Sequence, residues 1–296
     1  MIQYLYLGRV AYGEALRIQA ELVALRQQNR IGNALLLLEH PPVLTLGRNA
    51  SRANVLASEE QLARRGVTIH EINRGGDVTY HGPGQLIGYP IFDLRSLHNT
   101  QSARLGPVDF VRMMEEALIG LCSNYGVSAG RICGLTGVWC PTTACTSTPN
   151  SSKRLPSAGP PGARKIASIG IHVARGVTSH GFAFNVTTDL RDFELINPCG
   201  ITGCQMTTLK LEADREAGPR AQPLPSLDVL AGEAAQQFSE IFRVPIEKVQ
   251  SLDALRAPAE EDLAQPHFPA QDTPLEIPRE VERLRYGRIK DRPVRA

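Results

Sequence analysis

The 296-residue chain has no CxxC pair, and no histidine sits at ligand spacing beside its cysteines at 122, 133, 140, 145, 199 and 204. That excludes the common zinc motifs, so no metal is expected. The first residues, MIQYLYLGRV, lack both a basic leader and a sustained apolar run, so they read as no signal peptide. A chain of this length without a secretory signal does not need disulfide staples, and a reducing cytoplasm is the expected compartment. Long hydrophobic runs are missing too. The longest aliphatic block, 34–38, is far too short to cross a bilayer. Charge of one sign is not in excess: 32 Lys and Arg face 30 Asp and Glu, a formal net of +2 that gives no ground for nucleic-acid or membrane binding. There is no internal repeat. What is present, 42% hydrophobic and 21% charged residues, describes a soluble globular protein with a real core.

Residues 2–10 read as an edge or flanking strand, and 12–29 as an amphipathic helix with Ala15, Ile18, Leu22 and Leu25 on one face. The run 33–38 is of buried-strand type, after which Pro41 and Pro42 keep the chain extended. A loop over 48–59, a short helix over 59–65 ended by Gly66 and a strand over 67–72 follow. Pro107 suits a first helical position, and Val111, Met114, Leu118, Leu121 and Tyr125 then recur at helical steps. Residues 131–140 read as one strand. The stretch 141–163 is dominated by Pro, Ser, Thr, Gly and Ala; it buries too little apolar surface to offset its ordering entropy and is expected to be a mobile insertion. Alternating runs at 166–173 and 177–186 flank Arg175-Gly176, a hairpin signature. Ser226 is placed to cap a last helix with Leu227, Leu230, Ala234, Phe238 and Ile241 as its buried stripe. The interleaving of strands and helices sets the class as α/β or α+β with a mixed sheet. We divide the chain into one catalytic domain, 1–256, and a poorly ordered tail, 257–296, whose last eighteen residues carry seven Arg or Lys against three Asp or Glu.

Three places collect chemistry. The first is the 74–85 loop, in the stretch 73–94, NRGGDVTYHGPGQLIGYPIFDL, where five glycines, a proline and His81 lie between Arg74 and Gly88. Glycines let a backbone approach a ligand closely, and Asp77, Thr79, His81 and Gln85 set polar groups among them, so the stretch reads as a narrow pocket floor; the plain alternative is a hairpin with turn glycines. The second is Cys199, between Pro198 and Gly200 in a segment with no period of its own. A free thiol titrates at about 8.5, so a nucleophilic cysteine needs a nearby cation or helix N-terminus; otherwise it is a buried inert residue, the reading we give the other five. The third is Lys165, which opens an otherwise apolar strand. It is either a solvated gatekeeper or that cation, with His81 as the other group able to take a proton. His172 and His180, on the hairpin, read as structural.

These motifs together, RGGDVTYHGPGQLIGYPIFDL, KIASIGIHV, GFAFNV and INPCGI, resemble the lipoyl(octanoyl) transferase family, also called lipoate–protein ligase B, in family order over about 35–208. The resemblance implies the catalytic fold of the biotin and lipoate ligases: a mixed, mainly antiparallel sheet with helices packed outside. It also implies transfer of an octanoyl group from octanoyl-acyl carrier protein to one lysine of a lipoyl domain, in the 2-oxoacid dehydrogenase complexes and the glycine cleavage H protein. Cys199 would carry the acyl thioester and Lys165 would favour its thiolate, with no cofactor. Arg74, Gly75, Gly76, Asp77, Val78, Thr79, Tyr80 and His81, with Ser168, Ile169, Gly170, Gly181, Phe182 and Ala183, would line the substrate site. Ile169, Ile171, Phe182 and Phe184 are candidates for the wall of an acyl tunnel, in competition with core packing. The insertion 141–163 and the tail depart from the family pattern without touching a motif. Two other functions remain open at this stage: an ATP-dependent lipoate or biotin ligase, which needs no cysteine, and a non-catalytic module binding acyl carrier or lipoyl domains.

Overall fold

Strand β1 (Ile2–Arg9) runs parallel to β2 (Asn33–Glu39), and helix α1 (Tyr12–Gln27) makes the crossover between them. The computed structural model describes residues 1–97, 105–140, 161–201, 203–218 and 222–257. The chain divides into a unit Met1–Leu263, which holds every described element, and a second unit, Ala264–Ala296. The expected mobility of 141–163 and of the tail falls almost wholly outside the described residues.

After β2 come β3 (Val43–Leu46), α2 (Glu59–Arg64), β4 (Thr68–Glu71), β5 (Val78–His81), β6 (Gln85–Ile91) and α3 (Pro107–Ser123). Two hairpins follow, β7 (Gly130–Ile132) with β8 (Leu135–Cys140), and β9 (Arg164–Ala174) with β10 (Val177–Asn185). The chain continues through β11 (Gln205–Met206), α4 (Leu209–Ala217), α5 (Leu227–Phe242), β12 (Ile246–Lys248) and α6 (Leu252–Arg256). Among the described residues the main sheet has the order β12-β1-β2-β6-β10-β9-β8-β7, with β11 on β9; a second sheet has the order β4-β3-β5. The pairings from β2 to β7 are antiparallel, whereas β12–β1, β1–β2 and β11–β9 are parallel. This is the mixed, mainly antiparallel sheet with helices outside that the motifs implied.

The unbroken apolar run of β2 has a simple cause. Successive strand side chains point to opposite faces, and here both faces are covered. Leu35 and Leu37 join the core beneath α3 and α5, while Ala34, Leu36 and Leu38 join the core beneath α1 and α6. Helix α3 docks Phe110, Met114, Leu118 and Leu121 against Leu230, Ala234 and Phe238 of α5. A third core holds the small sheet through Leu44, Leu46, Val78, Tyr80, Phe193 and Leu195.

The segment 131–140 is a hairpin and not the single strand expected. Gly134 takes φ +79°, so the chain reverses within a segment whose composition carries a strand signal throughout. Cys133, at that turn, is disulfide-bonded, which corrects its reading as an inert thiol.

Candidate active site

The turn that carries Cys199 is built on an unusual backbone. Pro198–Gly200 forms one 3₁₀ turn, with Gly200 N donating to Asn197 O at 3.1 Å and Ile201 N to Pro198 O at 3.1 Å. Cys199 sits at φ 58° and Gly200 at φ 67°, two successive left-handed residues. For a residue with a Cβ that conformation costs about 1–2 kcal/mol, and it persists only where the surroundings over-determine it. Glycine removes the cost at the second position and is needed there for space as well: a Cβ on Gly200 would lie 2.5 Å from Asp77 Oδ2. Gly200→Ala is therefore expected to lower transfer activity about 10–100-fold through misplacement of Cys199. Steady-state kinetics beside a melting curve checks this; wild-type activity in the variant would contradict it.

Lys165 is buried, 3% exposed, one residue into β9. The gatekeeper reading is thus corrected. Its Nζ donates to Cys199 Sγ at 3.2 Å and lies 5.2 Å above the centre of the buried Trp139 ring. Among the described residues no carboxylate is within ion-pairing distance of it. A buried ammonium is costly unless it is paired or hydrogen-bonded, and the Cys199 sulfur is the partner it meets here. The neighbouring thiols lack this arrangement. Burial pushes Cys204 up to about 11 against the pull of Lys165, raises Cys140 to about 12, and drives Cys122 far above the usual thiol range.

Cys199 and Lys165 open onto a cavity of about 500 Å³. Of the fourteen expected binding residues, Arg74, Gly75, Gly76, Asp77, Thr79, His81, Ser168, Ile169, Gly170, Gly181, Phe182 and Ala183 line it. Val78 and Tyr80 do not. Residues 78–81 form strand β5, so alternate side chains must part company: Thr79 and His81 face the cavity, and Val78 and Tyr80 enter the core of the small sheet. Phe184 is likewise taken by the core beneath α3 and α5. Loop 74–77 crosses β9 closely enough to exclude a side chain at Gly170, where a Cβ would meet Gly75 O at 2.7 Å, and Gly75 N donates to Ile171 O at 2.9 Å. Arg74 shapes this loop from within. Its Nη2 donates to Thr45 O at 2.7 Å and to Thr45 Oγ1 at 2.9 Å, and its Nη1 donates to Gly75 O at 3.0 Å. Burial lowers its pKa from the ordinary guanidinium range, a shift opposed first by Cys199.

The sequence profile of the lipoyl protein ligase A/B catalytic domain matches residues 11–221. The chain belongs to this family. It is 53% identical over 243 residues to a protein of Acidobacterium capsulatum named octanoyltransferase, covering 82% of this chain and 90% of that one. To a protein of the same name from Koribacter versatilis it is 45% identical over 263 residues, covering 89% and 92%. Among solved structures, a bi-partite lipoate protein ligase of Thermoplasma acidophilum matches with a TM-score of 0.56 at 17% identity, covering 86% of this chain and 91% of that one. A lipoate-protein ligase A bound with ATP matches with a TM-score of 0.56 at 15% identity, covering 86% and 93%. These two likenesses show the shared fold.

Within this family fold, six cavity residues come from places the motifs do not mark: Tyr12 on α1, Val111 on α3, Gly134, Leu135 and Thr136 where β7 turns into β8, and His180 on β10. Val111 belongs to the helical pattern of α3, but it is only half-buried and turns to the cavity while Met114 and Leu118 fill the core. His180, expected to be structural, has a left-handed backbone at φ 55° and sets its Nε2 2.8 Å from Asn73 Oδ1. His81 hydrogen-bonds through both ring nitrogens, Nδ1 with Gln85 Oε1 at 2.9 Å and Nε2 with Thr45 Oγ1 at 3.3 Å. Burial holds its pKa well below the usual histidine range, so it is a poor proton acceptor.

His40 and His180 give the fold a pH limit. Burial lowers each to about 4. In the unfolded chain a histidine titrates near about 6.5. Above that pH both states are neutral and nothing is lost. As the pH falls from there toward 4, the unfolded chain binds more protons, and stability declines by up to about 1.4 kcal/mol per pH unit for each group. Denaturant midpoints at pH 7.5 and pH 5 are expected to show the drop, and equal midpoints would contradict it.

Proposed function

We propose that this chain is an octanoyltransferase of protein lipoylation that works through a thioester on Cys199. The octanoyl group comes from the thioester of an acyl carrier protein and goes to the target lysine of a lipoyl domain, in the cytoplasm. One observation carries the reading: a buried lysine with its Nζ 3.2 Å from the sulfur of a cysteine that opens onto the cavity.

The proton accounting fits that pair. Cys199 attacks as thiolate with the Lys165 ammonium beside it, and the tetrahedral intermediate expels the carrier thiolate, which takes a proton from Lys165. One thioester replaces another, so this step is near balance and requires no ATP. Lys165, now neutral, takes a proton from the incoming lysine ammonium, whose amine attacks the acyl carbon. Collapse releases the Cys199 thiolate next to a recharged Lys165, and the second amine proton leaves to solvent. The amide product makes this half downhill. Two easier steps thus replace a difficult one.

The ATP-dependent ligase reading shares the fold, but adenylate chemistry gives a cysteine–lysine pair no task. Intact-protein mass after mixing with octanoyl-acyl carrier protein tests the choice. An octanoyl adduct that disappears when a lipoyl domain is added supports the transferase. No adduct, with ATP-dependent modification of the lipoyl domain by free acid, would replace it with the ligase. An adduct never discharged by any lipoyl domain would leave only a carrier-binding role.

A further inference from the structure

The left-handed pair Cys199–Gly200 is held by a seam whose 54–56 side the sequence motifs do not mark. Leu56 N donates to Leu195 O at 2.8 Å, Val55 bridges to Ile196, and Asn197 N donates to Asn54 O at 2.8 Å. The segment 54–56 and the approach to the nucleophile, 195–197, therefore run together as backbone. At the end of the seam, Asn54 Nδ2 donates to Asp77 Oδ2 at 2.7 Å. The other oxygen, Asp77 Oδ1, accepts from Val78 N at 2.6 Å and from Ser51 N at 3.3 Å. Gly200 lies directly on this pair: the site of its missing Cβ is 2.5 Å from Asp77 Oδ2 and 3.3 Å from Asn54 Nδ2. One amide and one carboxylate thus join the loop at 51–54, the start of β5 and the nucleophile turn.

We propose that Asn54, acting through Asp77, is a positioning residue for the acyl-transfer reaction, clamping the Cys199–Gly200 turn so that the sulfur faces Lys165. The inference rests on the reading of Cys199 as nucleophile. Both oxygens of Asp77 are engaged by protein donors, so Asp77 serves the turn and not the acyl group, although it lines the cavity. Without the clamp, two consecutive left-handed residues have little reason to stay in place. A displacement of about 1 Å at a reacting atom is enough to cost about 10²-fold in rate.

The test is single-turnover acylation of Cys199 by octanoyl-acyl carrier protein, read by rapid quench and intact mass, beside melting temperature. The proteins compared are wild type, Asn54→Ala, Asn54→Asp, Asp77→Asn and the double swap Asn54→Asp/Asp77→Asn. Asn54→Ala is expected to slow acylation about 10–100-fold. Asn54→Asp sets two carboxylates face to face and slows it as well, whereas Asp77→Asn keeps a hydrogen bond once the Asn54 amide turns its oxygen toward it and is the milder single variant. The swap restores the hydrogen bond with donor and acceptor exchanged, and keeps an oxygen for Val78 N and Ser51 N. It is expected to recover at least tenfold over the slower single variant, a coupling that a double-mutant cycle isolates. Wild-type acylation in Asn54→Ala, a swap no faster than the slower single variant, or rates that simply follow melting temperature would each overturn the clamp. A wild-type protein that forms no adduct on Cys199 would instead overturn the proposed function.

Discussion

A Cys199→Ala protein is expected to gain no octanoyl mass and to lose at least about 10³-fold in transfer to a lipoyl domain, since removal of the nucleophile deletes the whole covalent route. Folding should survive. Cys199 is only partly buried at the edge of a small cluster with Leu135, Trp139 and Ile201, so truncation to alanine opens little space. The measurement is paired: intact mass after mixing with octanoyl-acyl carrier protein, and lipoyl-domain octanoylation under the same conditions. An adduct on the alanine variant equal to that on wild type would mean another cysteine carries the acyl group. Cys204 is the nearest alternative in sequence, but burial pushes its thiol up to about 11, and Lys165 donates to Cys199.

The second large effect separates the two duties of Lys165. Lys165→Met keeps most of the packing on Trp139 but removes the charge, so the Coulomb attraction that favours the thiolate disappears. Acylation is expected to fall about 10²–10⁴-fold, the usual range for a lost general acid–base group, with slower alkylation of Cys199 by iodoacetamide at neutral pH. Lys165→Arg should behave differently. A guanidinium keeps the positive charge but gives up no proton, so it holds the thiolate without serving as acid or base. Iodoacetamide alkylation is then expected to stay within a few-fold of wild type while multiple turnover fails. An arginine variant with normal turnover would reduce Lys165 to a fixed charge.

The sequence carried different parts of this protein with different clarity. Helix α3 was legible because Met114, Leu118 and Leu121 recur at helical spacing and nothing interrupts them. The hairpin of β9 and β10 was legible from two alternating runs around Arg175-Gly176. Strand β5 was harder. Between Gly76 and Gly82 the composition speaks for a loop, and only pairing with β3 makes the strand, which then sends Val78 and Tyr80 away from the cavity. The hairpin at 131–140 was missed for the opposite reason, since its turn lies inside a continuous strand signal.

For the site, composition and spacing alone left Cys199 and Lys165 as one thiol among six and one lysine at a strand start. Their order among four family motifs singled them out. The sequence by itself determined the family, the fold class and the two residues of the pair, because a chain of motifs over 35–208 is far more specific than any one local pattern. Only the tertiary structure decided that the pair meets, 3.2 Å apart, across 34 positions of chain. It alone placed Tyr12, Val111 and His180 in the cavity wall and Asn54 on Asp77. The physical reason is the same in each case. Hydrogen bonds, close approaches and burial join residues distant in sequence, and no local period or composition records which of them will face one another.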